Sequence, residues 1–168
     1  MAFLLDTMIL SEGRKPRPEP RVTGFYETQP LGRIYVRVVS FAEIRFGIEL
    51  QVDPVRRAEL NGWLALTLRP TFEGRVLPIT EDIMLKWRLF LQEGRKTGHT
   101  FSQPDLIIAA TATHHGLTVV TRDRTHYDKA RVPVFKSVGD TVIRPGRGAQ
   151  SMAGLPAPAI KAGLASQR

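Results

Sequence analysis

Four acidic residues stand where a chain of alternating strands and helices gathers its chemistry: Asp6, Glu43, Asp105 and Asp123. Asp6 directly follows the apolar pair Leu4-Leu5, and Asp123 closes the run Val119-Val120-Thr121-Arg122. Each carboxylate is therefore expected at the carboxyl end of a parallel strand, where open α/β sheets hold their ligands. Glu43 and Asp105 open helices instead, each three residues after a serine, in Ser40-Phe41-Ala42-Glu43 and Ser102-Gln103-Pro104-Asp105. Both spacings also fit a capping box, in which the acid reaches back to the first amide of the helix and needs no catalytic role. Helix N-termini that follow strands share an edge with strand C-termini, so all four acids are expected to converge there. Crowded carboxylates repel one another until a cation neutralises them. Oxygen donors in a chain without cysteine suit Mg²⁺ or Mn²⁺ rather than Zn²⁺. Such an ion lowers the pKa of a bound water and offsets charge on a transferring phosphoryl group, which makes phosphodiester hydrolysis the leading chemistry.

Other polar residues cluster around these acids in sequence. Thr7 and Thr121 neighbour two of them, Ser40 begins the Glu43 helix, and Arg45, Arg122 and Arg124 are placed to meet RNA phosphates. Each has a plainer reading: a hydroxyl at a strand end caps the backbone, and exposed arginines solubilise. His114 and His115 are adjacent late in a helix, so their side chains diverge and do not share a metal as an i, i+4 pair does. His126 is a candidate phosphate contact only.

The elements that must position these groups follow from patterning. Phe3-Leu4-Leu5, Ile34 to Val39, Val76-Leu77, Leu117 to Val120 and Val132 to Phe135 read as strands, the last at an edge because of Pro133. Helical periods cover 40–51, 54–69, 80–97 and 103–115. In the third of these Ile83, Trp87, Phe90 and Leu91 recur at helical spacing and read as core. Residues 12–21, with three prolines and four cations, read as a rigid exposed loop after one short helical turn. The alternation predicts an α/β fold, a mostly parallel sheet of about five strands flanked by helices. At 168 residues the chain has room for one domain. Residues 1–140 are expected to form it, and 141–168, rich in Gly, Pro and Ala without an aromatic, to form a disordered tail.

The net charge is +8, from 24 Lys and Arg against 16 Asp and Glu. Half of it lies in the tail, where Arg144, Arg147, Lys161 and Arg168 have no acid among them. That balance fits a polyanionic partner without demanding one. The chain opens without a basic leader and has no apolar run near the ~18 residues of a membrane span, so a cytoplasmic location is expected, with no membrane partner. A dehalogenase-type phosphatase requires an Asp where Met8 stands, and a receiver domain requires one where the third strand runs into Leu77-Pro78-Ile79. Neither a dinucleotide fingerprint nor a Walker loop is present.

With these residues on the page, the chain resembles the PIN-domain family, and within it the toxin subunits of the bacterial VapBC and FitAB toxin-antitoxin pairs. The resemblance is carried, in the family's order, by Leu4-Leu5-Asp6-Thr7-Met8-Ile9-Leu10-Ser11-Glu12, Val39-Ser40-Phe41-Ala42-Glu43-Ile44-Arg45-Phe46-Gly47, Pro104-Asp105-Leu106-Ile107-Ile108-Ala109-Ala110-Thr111-Ala112 and Val119-Val120-Thr121-Arg122-Asp123. Trp63-Leu64 and Arg75-Val76-Leu77-Pro78 add likeness to the FitB-type subgroup. The resemblance implies a PIN fold and a Mg²⁺- or Mn²⁺-dependent endoribonuclease with Asp6, Glu43, Asp105 and Asp123 as catalytic and metal-holding acids. It implies RNA as substrate, with tRNA a family-level expectation, and silencing by a cognate antitoxin that carries a DNA-binding domain. A homodimer is implied too, with apolar surface expected around Phe41, Phe46, Ile48, Trp63 and Leu66. The chain departs from the family at Met8, where an Asn is usual, and at His126, where an Asp is frequent. A non-catalytic PIN-like module that binds RNA or a partner, and a housekeeping PIN nuclease without antitoxin, are the competing readings.

Overall fold

The structure is a computed structural model and describes residues 1–98 and 102–122. Asp123, Arg124, His126, the strand expected at 132–135 and the tail expected at 141–168 lie outside the described residues. The elements run β1 (Phe3–Leu5), α1 (Thr7–Glu12), α2 (Pro20–Thr28), β2 (Ile34–Arg37), α3 (Val38–Glu49), α4 (Pro54–Trp63), α5 (Arg69–Thr71), β3 (Val76–Leu77), α6 (Glu81–Lys96), α7 (Gln103–His115) and β4 (Thr118–Val120). A π-helical stretch, Leu64–Leu68, joins α4 to α5. The four strands form one parallel sheet in the order β3-β2-β1-β4, with Leu4 opposite both Tyr35 and Val119.

Side chains alternate across the strands, and the sheet has a core on each face. Phe3, Leu5, Ile34, Val36 and Val120 pack with Ile9, Phe25, Phe41 and Leu64 from α1 through the π stretch. Leu4 and Val119 pack with Ile108, Ala109 and Ala112 of α7 on the opposite face, with Tyr35, Leu77 and Phe90 alongside. The α7 face is built from alanines, which lets the helix lie close to β1 and β4. Gly116, at φ 64°, ends α7 in the left-handed conformation, and Leu117 N donates to Ala112 O at 2.8 Å. That turn returns the chain directly into β4.

Three expectations need correction. The second strand stops at Arg37 rather than Val39. Arg37 pairs with Leu77, the last residue of β3, and Val38 starts a helix. Residues 12–21 are not simply an exposed loop: Glu12 is buried, and Pro20 already occupies the first turn of α2. That helix escaped notice because Val22 and Phe25 are its only buried residues, too few for a clear period. The helix expected over 54–69 changes to π geometry over Leu64–Leu68, with Leu60, Leu64 and Leu68 all in the core.

Candidate active site

Asp6 caps α1 from the carboxyl end of β1. Its N–H donates to Val120 O at 3.0 Å, while its carbonyl accepts from Ile9 N at 3.0 Å and Leu10 N at 3.2 Å. The backbone is thus consumed by the fold, but the carboxylate makes no cap hydrogen bond of its own. Oδ2 instead accepts from Thr121 Oγ1 at 2.8 Å, joining the ends of β1 and β4. Burial pushes the Asp6 pKa above the ordinary 3.8. The Thr121 hydroxyl, the Arg37 guanidinium and the Thr7 and Met8 amides draw it back without cancelling the rise.

Glu43 reaches the same edge from α3. Because that helix begins at Val38 with Arg37 as its N-cap, Ser40 lies inside the first turn and Glu43 beyond it, so the expected capping box is absent. Glu43 Oε2 accepts from Thr7 Oγ1 and lies 3.9 Å from Arg37 Nη2. Arg37 is 1% exposed, and its Nη2 is 3.4 Å from the Oγ of the buried Ser40. Sequence reasoning passed over Arg37. The signal was a cation at the end of the apolar strand run Ile34-Tyr35-Val36, where a solubilising side chain has no solvent to meet.

Asp105 keeps the cap geometry expected of it. Ser102 is the N-cap of α7, its Oγ accepts from Asp105 N at 3.3 Å, and the Asp105 carboxylate meets the same hydroxyl. Helix α7 runs back antiparallel to β4, so its N-terminus lies along the strand carboxyl edge that carries Asp6. The structure therefore brings Asp6, Glu43, Thr7, Ser40 and Thr121 into one hydrogen-bonded and charged assembly around Arg37, and sets Asp105 at the same edge with its own partner. Among the described residues no three His, Asp or Glu side chains are gathered closely enough to hold a metal. Arg122 Nη1 lies 3.2 Å from Glu12 Oε2. Arg45 is exposed on α3.

A pocket of about 170 Å³ leads away from Glu43 and Thr7 between α1, α3 and α4, lined by Ser11, Arg14, Gly47, Gln51 and Trp63. The Arg14 guanidinium lies 5.3 Å from the Trp63 ring, so one wall is both cationic and aromatic. Of the five residues expected to form an apolar surface, Phe46 and Leu66 are exposed and Trp63 is half-buried, but Phe41 and Ile48 belong to the core.

The PIN domain family matches residues 3–132. The chain belongs to that family. Toxin FitB of Neisseria gonorrhoeae is 33% identical over 133 residues, 79% of this chain and 96% of FitB. A VapC ribonuclease, Y4jK of Sinorhizobium fredii, is 30% identical over 133 residues, 79% of this chain and 95% of that protein. The structure of FitAB bound to a DNA fragment superposes with a TM-score of 0.78 at 30% identity, covering 84% of this chain and 99% of that one. The parallel sheet flanked by helices is thus a PIN fold of FitB/VapC type, and the edge that carries Asp6 is the carboxyl edge of this PIN domain. Among the described residues no helix is long and apolar enough to cross a membrane.

Proposed function

We propose that this PIN domain is the toxin of a toxin-antitoxin pair, a Mg²⁺- or Mn²⁺-dependent endoribonuclease that hydrolyses RNA and is held silent by a cognate antitoxin. The observation that carries the reading is Asp6 at the carboxyl end of β1, its carboxylate tied to Thr121, in one assembly with Glu43, Thr7 and Arg37 at the strand edge. The donor set fits a hard divalent cation, since it consists of carboxylate and hydroxyl oxygens with no cysteine in the chain. Asp6 and Asp105 would hold it, together with Asp123, which the sequence places two residues after Thr121, while Glu43 is tied to Thr7 and Arg37. Bound there, the ion lowers the pKa of an attacking water and offsets charge on the phosphate.

The remaining work falls to the chain itself. Thr121 fixes Asp6 through one carboxylate oxygen. Thr7 and Arg37 hold Glu43 at the mouth of the pocket, where it can orient a water. Arg14 and Trp63 offer the pocket wall a charge for a phosphate and a face for a base. The names of the relatives support the toxin assignment, and the FitAB complex supports an antitoxin with a DNA-binding part. Exposed Phe46, Leu50, Val55 and Leu66 on α3, α4 and the π stretch offer apolar surface to that antitoxin or to a second copy. A cytoplasmic protein, with a nuclease body over 1–140 and a dispensable basic tail over 141–168, completes the proposal.

The test is RNA cleavage by the purified full chain. Cleavage should stop with EDTA and return with Mg²⁺ or Mn²⁺, and co-purification with the neighbouring antitoxin should suppress it. Cleavage that persists in EDTA removes the metal-dependent reading; a nuclease indifferent to the antitoxin keeps the enzyme and loses the toxin.

A further inference from the structure

Arg37 heads the largest fully buried side chains of the described residues, yet it stands at a ligand-binding edge rather than in the middle of a core. A guanidinium keeps its proton at any pH at which the protein is folded, so Arg37 is a fixed positive charge. Its Nη2 lies 3.9 Å from Glu43 Oε2 and 3.4 Å from Ser40 Oγ. At 1% exposure it does not reach a phosphate in the groove, and it acts on the site through its charge.

We propose that Arg37 takes the place of a second metal ion, so that this PIN domain works with one divalent cation on the side of Asp6 and Asp105 while Glu43 is held by Arg37 and Thr7. The inference rests on the metal-dependent reading above and deepens it. Two-ion sites set their cations about 3.5–4 Å apart. An ion drawing on Glu43 would then stand against the guanidinium, where like charges in a partly dry site repel strongly. Four carboxylates, Asp6, Glu43, Asp105 and Asp123, against one guanidinium leave three negative charges, of which a single divalent ion offsets two. Arg37 is in this sense a positioning residue: it fixes Glu43 and sets the ion count without touching substrate.

Mn²⁺ binding to the full chain tests this without reference to turnover. Titration followed by electron paramagnetic resonance of free Mn²⁺ should saturate at one ion per chain. Arg37→Met, which removes the charge at similar length, should admit a second ion or tighten binding at least about tenfold. Arg37→Lys, which restores the charge, should return the chain to one ion. Saturation of the wild type at two ions overturns the proposal, as does a folded Arg37→Met protein that still takes one ion with unchanged affinity. If Arg37→Met does not fold, the wild-type and Arg37→Lys counts decide, two ions in either case overturning the proposal. A wild type that binds no Mn²⁺ overturns the metal-dependent reading beneath it, a separate failure from a count of two.

Discussion

The two ends of helix α1 treat a carboxylate in opposite ways. Asp6, before its first residue, is pushed to a raised pKa because burial outweighs Thr121, Arg37 and two amides. Glu12, its last residue, is 3% exposed yet has a lowered pKa. Lys15 Nζ at 2.7 Å dominates, and the Glu19 amide at 3.0 Å and Arg122 at 3.2 Å complete the shell. Glu12 is buried and Asp6 part-buried, and only Glu12 is fully answered. A satisfied buried charge is a structural tie; an under-compensated one at a ligand-binding edge marks chemistry. The Glu12 tie also serves the site, because it binds the end of α1 to Arg122, next to the threonine that holds Asp6.

The largest effect should come from removing the Asp6 charge. Asp6→Asn is expected to lower cleavage by at least about 100-fold, roughly 2.7 kcal/mol in the barrier, and to weaken Mn²⁺ binding in parallel. In the metal-free protein the same change should leave the melting temperature equal or higher, since it removes a desolvated charge. A metal-free Asp6→Asn protein that melts well below wild type would place Asp6 with Glu12 among the structural ties.

Glu12→Gln should behave in the reverse sense. It leaves Lys15 and Arg122 without their anion and should cost about 1–3 kcal/mol of stability, a drop of roughly 2–4 °C in Tm per kcal/mol for a domain of this size. Cleavage at saturating Mg²⁺ and at a temperature where the variant is folded should fall only a few-fold. A loss of turnover as large as that of Asp6→Asn would mean that Glu12 belongs to the reacting assembly.

How much of this was legible in the sequence depends on what fixes each group. Asp6 and Glu43 could be named as candidates because strand ends and helix starts are roughly legible from local patterning. The parallel sheet flanked by helices followed from the same alternation. Arg37 was missed because its role depends on tertiary burial, which a charged residue conceals from pattern reading. Glu43 was given the wrong local partner because the helix starts two residues earlier than the valines suggested. Helix α2 was missed because three prolines and four cations dominate its approach, while two buried side chains, Val22 and Phe25, hold it in place.

Acidity should separate the two carboxylates again, with a smaller amplitude. For Asp6 the folded pKa lies above 3.8, so its penalty is present at neutral pH and is relieved as pH falls through the folded value. For Glu12 the folded pKa lies below 4.5, so its stabilisation is present above 4.5 and is lost as pH falls through that lower value. Metal-free Tm measured from pH 7 to pH 3 should therefore fall more steeply in Asp6→Asn than in wild type, because the compensating gain is gone. The fall should be shallower in Glu12→Gln. Identical slopes in all three proteins would show that neither pKa differs between folded and unfolded chains.

The smallest effect concerns Asp105, which shares the edge of Asp6 and the satisfied state of Glu12. Its hydroxyl partner Ser102 is the N-cap of α7, and the capping interaction alone accounts for the spacing of the pair. Ser102→Ala should cost about 0.5–2 kcal/mol of stability, the ordinary worth of an N-cap. It should leave the Mn²⁺ dissociation constant within about twofold, because a carboxylate freed from a neutral hydroxyl keeps its charge for the ion. Asp105→Asn keeps the Ser102 hydroxyl and removes that charge, so it should weaken Mn²⁺ binding while costing less stability than Ser102→Ala. If Ser102→Ala weakens the ion as much as Asp105→Asn does, the serine holds the carboxylate in its coordinating position and the cap belongs to the site. If Asp105→Asn leaves Mn²⁺ binding unchanged, Asp105 is a helix cap alone and the ion rests on Asp6 and groups beyond residue 122.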